Sequence, residues 1–263
     1  MTIYEEYHQD TRTERKAALS AAGITDSRDV NMTLSIPSPG IFAFYGGLSI
    51  LVILILAGAT LIMEGRVDTS TSDMLTRIFW VDLEQNVPTG LSFALIACAS
   101  FLVMVTAWRQ YSTVSPWRHH WVGLGILLLY IAFDEAARIH EMFNAPLESV
   151  TPDTGVFRFA WVLAGIVFVL AVGAIFLRFV FALPPRVRLL VIASGATFLS
   201  GALGMEMIAA ASIDMADPWL TYRKATLLEE GLEMVGMLIF ATAIVTLLCQ
   251  DAPGTREYLR RGR

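Results

Sequence analysis

Charge is scarce in this chain. Only 16% of its 263 residues are Asp, Glu, Lys or Arg, where soluble globular chains carry about a quarter. Hydrophobic residues make up 55% and the mean hydropathy is +0.58, a composition that excludes an ordinary soluble globule and indicates a membrane protein. Basic residues are outnumbered, 19 Lys+Arg against 24 Asp+Glu for a net charge of −5. Nucleic acid is therefore excluded as a partner, because neutralising phosphates needs a basic surface. The two cysteines, Cys98 and Cys249, both lie in apolar runs, which leaves no disulfide framework and no CxxC metal or redox motif. HExxH, GxSxG, P-loop and GxGxxG signatures are all missing, and no Ser or Cys has a visible base.

What the chain does have is long apolar runs. A hydrocarbon core of about 30 Å needs about 20 helical residues, and six segments satisfy this, at about 41–63, 89–108, 121–143, 159–177, 189–213 and 225–250. The expected fold is all-α, a polytopic six-transmembrane-helix bundle spanning 41–250. A polar tail, 1–40, precedes it and a basic tail, 251–263, follows. The first run starts near Ile41 behind Glu5, Glu6, Asp10 and Glu14, unlike a signal peptide with its basic start, and it reads as an uncleaved anchor. In the tail, Thr11 or Thr13 can cap a short helix running to Gly23. The segment from Ser72 to Asn86 places Leu75, Ile78, Phe79 and Leu83 beside Trp80, and it fits either a helix lying at the membrane surface or an ordered loop.

Six spans put both termini on one face. That face holds thirteen of the nineteen basic residues, five lie opposite (Arg66, Arg77, Arg158, Arg223 and Lys224), and Arg138 is within a span. The positive-inside rule then makes the basic face cytoplasmic, and the expected location is the cell inner membrane with both termini inside.

The acids sort the other way. Asp134, Glu135 and Glu141 near the end of the third span, Glu206 late in the fifth, Glu229, Glu230 and Glu233 early in the sixth, and Asp82 and Glu84 just before the second all point to the periplasmic side. On a continuous helix Asp134, Arg138 and Glu141 share a stripe while His140 points about 100° away from Glu141. Glu229, Glu230 and Glu233 fall on one face of the sixth helix. For Glu229 and Glu230 a solvated helix N-terminus explains equally well why acids are there. Asp and Glu are too short to snorkel, so Asp134, Glu135, Glu206 and Glu233 should face a protein interior or a water-filled cavity.

Crowded carboxylates must be neutralised by protons, by Arg138 or by cations. The preferred expectation is a metal-binding membrane protein or metalloenzyme. Glu84, His140, Glu141, Glu206, Glu230 and Glu233 would hold one or two divalent transition metal ions, iron or manganese before copper. Arg138 with Asp134 would orient the ligands, and Glu135 would donate a proton. Oxidation of a lipid-soluble substrate entering from the membrane lipid is favoured over hydrolysis. Two features weigh against the metal: no Glu-x-x-His occurs, and His119 and His120 lie at the opposite face. The methionines near the acids, Met142, Met205, Met207, Met234 and Met237, suit packing better than copper ligation.

Two alternatives stand beside it. Intramembrane acids with an Arg counter-ion equip proton- or cation-coupled transporters, although neither an internal repeat nor a Gly/Pro-broken span is evident in the sequence. An accessory or scaffold subunit would use the acids to bind a partner in a membrane complex. A lone His as a haem or pigment ligand ranks below these. The segments Asp134–Glu141 and Glu229–Gly236 resemble bacterial membrane proteins of unknown function, a resemblance that implies no activity.

Overall fold

The spans expected from the apolar runs are present, and each is bounded by recognisable helix chemistry. A computed structural model describes residues 38–63, 69–83, 85–147, 149, 151–152, 154–215 and 221–250. Both tails, including the short helix expected near Thr11, lie outside the described residues, as does Glu84. We number the helices α1 (Pro39–Met63), α2 (Thr69–Phe79), α3 (Val87–Ser112), α4 (Arg118–Ala137), α5 (Trp161–Ala182), α6 (Pro185–Ser212) and α7 (Tyr222–Gln250). All except α2 are long and apolar enough to cross a membrane. No strand occurs among the described residues.

Local chemistry sets the helix ends. Asn86 caps α3, its Oδ1 accepting from the Thr89 backbone N–H at 3.1 Å, and Pro88 occupies the first turn, where its missing N–H costs nothing. Helix α2 occupies part of the Ser72–Asn86 segment and stops at Phe79; Met74 and Ile78 on it are exposed. At the other end of the bundle Arg109 donates to the Leu248 carbonyl at 3.3 Å, satisfying one of the acceptors left open at the end of α7.

Helix α7 is the axis of the bundle. Sixty-seven per cent of its apolar window is buried, against 11–39% for the other five spans, and α1, α3 and α6 all pack on it. Close approach to α6 depends on glycine. A Cβ at Gly236 would lie 2.7 Å from the Phe198 backbone N, and one at Gly201 would lie 2.7 Å from the Glu229 carbonyl oxygen. Small residues serve this purpose in helix pairs packed within lipid, where backbones must meet for dispersion to hold them. Helix α4 packs on α3, tied by Ser100 Oγ donating to the Gly125 carbonyl at 2.8 Å. The outer surface carries apolar side chains such as Phe44, Ile55, Phe101, Leu170 and Leu189, as a lipid-facing surface should.

Two spans differ from the uniform helices expected. The third was expected to run to Phe143, but α4 ends at Ala137, Arg138 takes a left-handed conformation at φ 48°, and a 3₁₀ turn covers His140–Phe143. The fifth is interrupted: Ser200–Met205 is π-helical within α6. Both departures fall where the acids are.

Candidate functional site: a carboxylate cluster at one end of the bundle

The end of α4 reverses because Asp134 captures the chain that follows it. Its Oδ1 accepts from the His140 backbone N–H at 2.7 Å and its Oδ2 lies 2.8 Å from His140 Nδ1. Arg138 forms an ion pair with Glu141. A left-handed non-glycine residue costs roughly 1–2 kcal/mol, and two contacts to one carboxylate are enough to offset it. The 100° separation of His140 from the stripe of Asp134, Arg138 and Glu141 assumed a continuous helix; that premise fails at Arg138, and His140 meets Asp134. Burial opposes charge on the His140 imidazole, but the Asp134 carboxylate, helped by Glu141 and Glu206, outweighs it and leaves the His140 pKa raised.

Trp161, at the start of α5, links this turn to α6. Its indole lies 4.5 Å from the His140 ring, centroid to centroid, and its Nε1–H donates to Glu206 Oε1 at 3.1 Å. Its backbone N–H donates to Asn144 Oδ1 at 3.0 Å. Glu206 in turn shares a side-chain hydrogen bond with Glu229 of α7. A hydrogen bond between two carboxyl groups requires a proton on one of them, so this pair holds a proton whenever the bond is formed.

Around this chain the other acids gather as the sequence anticipated. Glu230 lies within electrostatic reach of Glu135, Asp82, Arg138 and Glu206. Asp82 sits near Arg138, Glu141 and Arg223, and burial raises its carboxyl pKa against the pull of the two arginines. The Arg223 guanidinium stacks 4.1 Å from the Trp80 ring centroid, a cation–π contact at the edge of the cluster. Deeper in the bundle, Ser92, Glu135, Phe198, Glu233, Met234 and Met237 line a narrow crevice.

Beside the cluster, Asp214 accepts from the Gly155 N–H at 2.6 Å and pairs with Arg158. The Gly155 N–H first, and Arg158 with it, hold the Asp214 carboxyl below its ordinary range. This clasp fixes the loop between α4 and α5 to the end of α6.

Of the expected ligands, Glu84 is outside the described residues. No three His, Cys, Asp or Glu side chains among the described residues group at spacings suited to a metal, and no observation supports an oxidoreductase. Trp161, Asn144 and Ser92 were not singled out in the sequence, since one Trp at a span boundary and one Ser in an apolar run carry no signal there. His119 and His120 lie at the opposite end, as expected. His119 contacts Tyr111 at 3.0 Å and His120 stacks on Phe179.

Comparison with curated proteins gives no match, and neither does comparison with solved structures. A family profile, described as a domain of unknown function (DUF8692), matches residues 47–248. That match begins within α1, ends within α7 and includes every residue placed in the cluster. The chain belongs to this DUF8692 family.

Proposed function

We propose that this protein is a proton- or cation-coupled membrane transporter whose ion-binding element is the carboxylate cluster. The observation that carries the reading is the π-helical segment within α6. The π-helical segment Ser200–Met205 ends at Glu206, and its Gly201 presses against the α7 backbone at Glu229, with Glu233 alongside. π-helical turns inside spans are frequent at functional sites, and transporters bind coupling ions where a span departs from regular α-helix beside intramembrane acids. Hydrogen-bonded Glu206 and Glu229, with Asp134 and His140 nearer the end of the bundle, offer sites between which protons can move. In this reading the protein lies in the cell inner membrane with both termini cytoplasmic, and the cluster opens toward the periplasm.

The test is electrical. Proteoliposomes on a solid-supported membrane, given a step in pH, should show a transient charge displacement that the double variant Glu206→Gln with Glu229→Gln lacks. Displacement no larger than in protein-free liposomes would overturn the reading. Elemental analysis of the same purified protein bears on the metalloenzyme alternative: near-stoichiometric iron or manganese that falls in Glu206→Ala or Glu233→Ala would put that alternative in its place.

A further inference from the structure

We infer that Arg178, Arg186 and Arg188, at the turn between α5 and α6, bind the headgroup of an anionic glycerophospholipid whose acyl chains lie along the apolar side chains beside them. The inference goes beyond the transporter reading and does not depend on it.

The rotation of α5 about its axis is fixed near this end. Phe179 is 2% exposed, stacked on His120 at 5.7 Å and edge-on to Trp121 at 4.8 Å, so its ring points to α4. With that side turned inward, Ala174, Leu177, Arg178 and Phe181 form an exposed stripe at i, i+3, i+4 and i+7, one face of the helix. Helix α5 continues to Ala182, which puts Arg178 about 6 Å inside its end. Two residues, Leu183 and Pro184, lead into α6, where Arg186 and Leu189 are exposed at i,i+3 spacing. Arg188 turns back to α5. Its Nη1 donates to the Phe181 carbonyl at 3.1 Å, and its Cζ lies 5.9 Å from the Phe181 ring centroid. That hydrogen bond uses one of five N–H donors and holds the guanidinium at the turn.

This end of the bundle lacks an anion. No Asp or Glu occurs between Glu84 and Asp134 or between Asp153 and Glu206, so neither short connection on this side carries an acid. Arg178 and Arg186 have no hydrogen bond or ion pair among the described residues. An arginine on a lipid-facing surface extends its charge to the bilayer boundary, where the acceptors are lipid phosphates. A guanidinium binds two phosphate oxygens at once. Zwitterionic lipids bring their own cation beside the phosphate, whereas three arginines without an acid complement a lipid of net negative charge. Leu177, Phe181, which is 60% exposed, and Leu189 supply the apolar surface for the chains, a surface that a soluble phosphate would leave unused.

Native mass spectrometry of the full-length protein in detergent, equilibrated with phosphatidylglycerol or phosphatidylcholine, tests this independently of membrane orientation. Wild type should hold its tightest phosphatidylglycerol at least about fivefold more strongly than phosphatidylcholine. Arg178→Gln should lower the phosphatidylglycerol affinity about fivefold, and Arg178→Gln with Arg186→Gln should remove the preference. Both side chains are exposed, so the melting temperature of each variant should match that of wild type. Arg77→Gln, on α2 at the other end, should bind as wild type does. Glycerol 1-phosphate at the same concentration should not displace the lipid; displacement would show that the arginines take free phosphate and would overturn the lipid assignment. Equal affinity of wild type for the two lipids, or unchanged phosphatidylglycerol affinity in the double variant, would overturn the inference as a whole.

Discussion

His140 depends on a single carboxylate for its place. Asp134 receives both its backbone N–H and its Nδ1, and the raised imidazole pKa follows from that contact prevailing over burial. A histidine whose folded pKa lies above its unfolded value of about 6.5 stabilises the fold fully below that unfolded value. The contribution is lost as pH rises through the folded pKa. Asp134→Asn should therefore bring the His140 pKa below that of wild type, as read from the imidazole signals of histidine-labelled protein across a pH series. An unchanged titration would show that Asp134 does not hold the ring. Asp214 works in the opposite sense. Its pKa is lowered by the Gly155 N–H and by Arg158, so its contribution is present above the unfolded value of about 3.9 and disappears as pH falls through the folded one. Asp214→Asn should increase hydrogen exchange at the Gly155 amide, corrected for intrinsic rate, near neutral pH, and acid should do the same to wild type. At this scale the sequence named most of the acids that meet and the Arg138–Glu141 pair, but not the pairing of Asp134 with His140, which depends on a chain reversal after Ala137 that no spacing rule encodes.

Among the elements, α6 and α7 form the interface on which the cluster rests. Gly201 lies in the π-helical segment, and a side chain there would collide with the Glu229 carbonyl at 2.7 Å and approach Glu233 Cγ at 3.0 Å. Backbone cannot move aside as a flexible side chain does, so Gly201→Ala should destabilise the protein by roughly 1–3 kcal/mol. Gly195 on the same helix has no atom within 4 Å of a built Cβ, and Gly195→Ala should be neutral or slightly stabilising through helix propensity. Thermal unfolding in detergent measures both; equal effects at the two positions would contradict the close-contact explanation. The apolar runs located all six spans because about 20 uncharged residues have few other uses. They said nothing of the π-helical break, since the sequence Ser200–Met205 holds small and apolar residues compatible with an ordinary helix. They also overran the end of α4, because Arg138 carries no glycine-like signal for a left-handed turn.

At the scale of the whole molecule, the sorting of charge is the property that the composition concealed. Acids gather where α4 and α6 end and α7 begins, while Arg109, Arg118, Arg178, Arg186 and Arg188 lie in the helix ends that flank the short connections at the other end. The short connections decide orientation, because positive charge near span ends is retained in the cytoplasm whereas acids have little influence. That asymmetry predicts a definite topology. A fluorescent-protein fusion after residue 263 should fluoresce, since such reporters mature in the cytoplasm, and alkaline phosphatase at the same position should be inactive. The same phosphatase fused after Thr151, between α4 and α5, should be active because that loop lies beside the acid cluster on the opposite side. Replacing Arg186 and Arg188 with Gln should weaken this bias and give mixed reporter activity, whereas replacing Arg158 and Arg223 should leave it intact. The reverse pattern, with the Thr151 fusion inactive and the terminal one active, would place the cluster toward the cytoplasm. The proton step that drives the charge displacement would then have to be applied from the other side of the membrane.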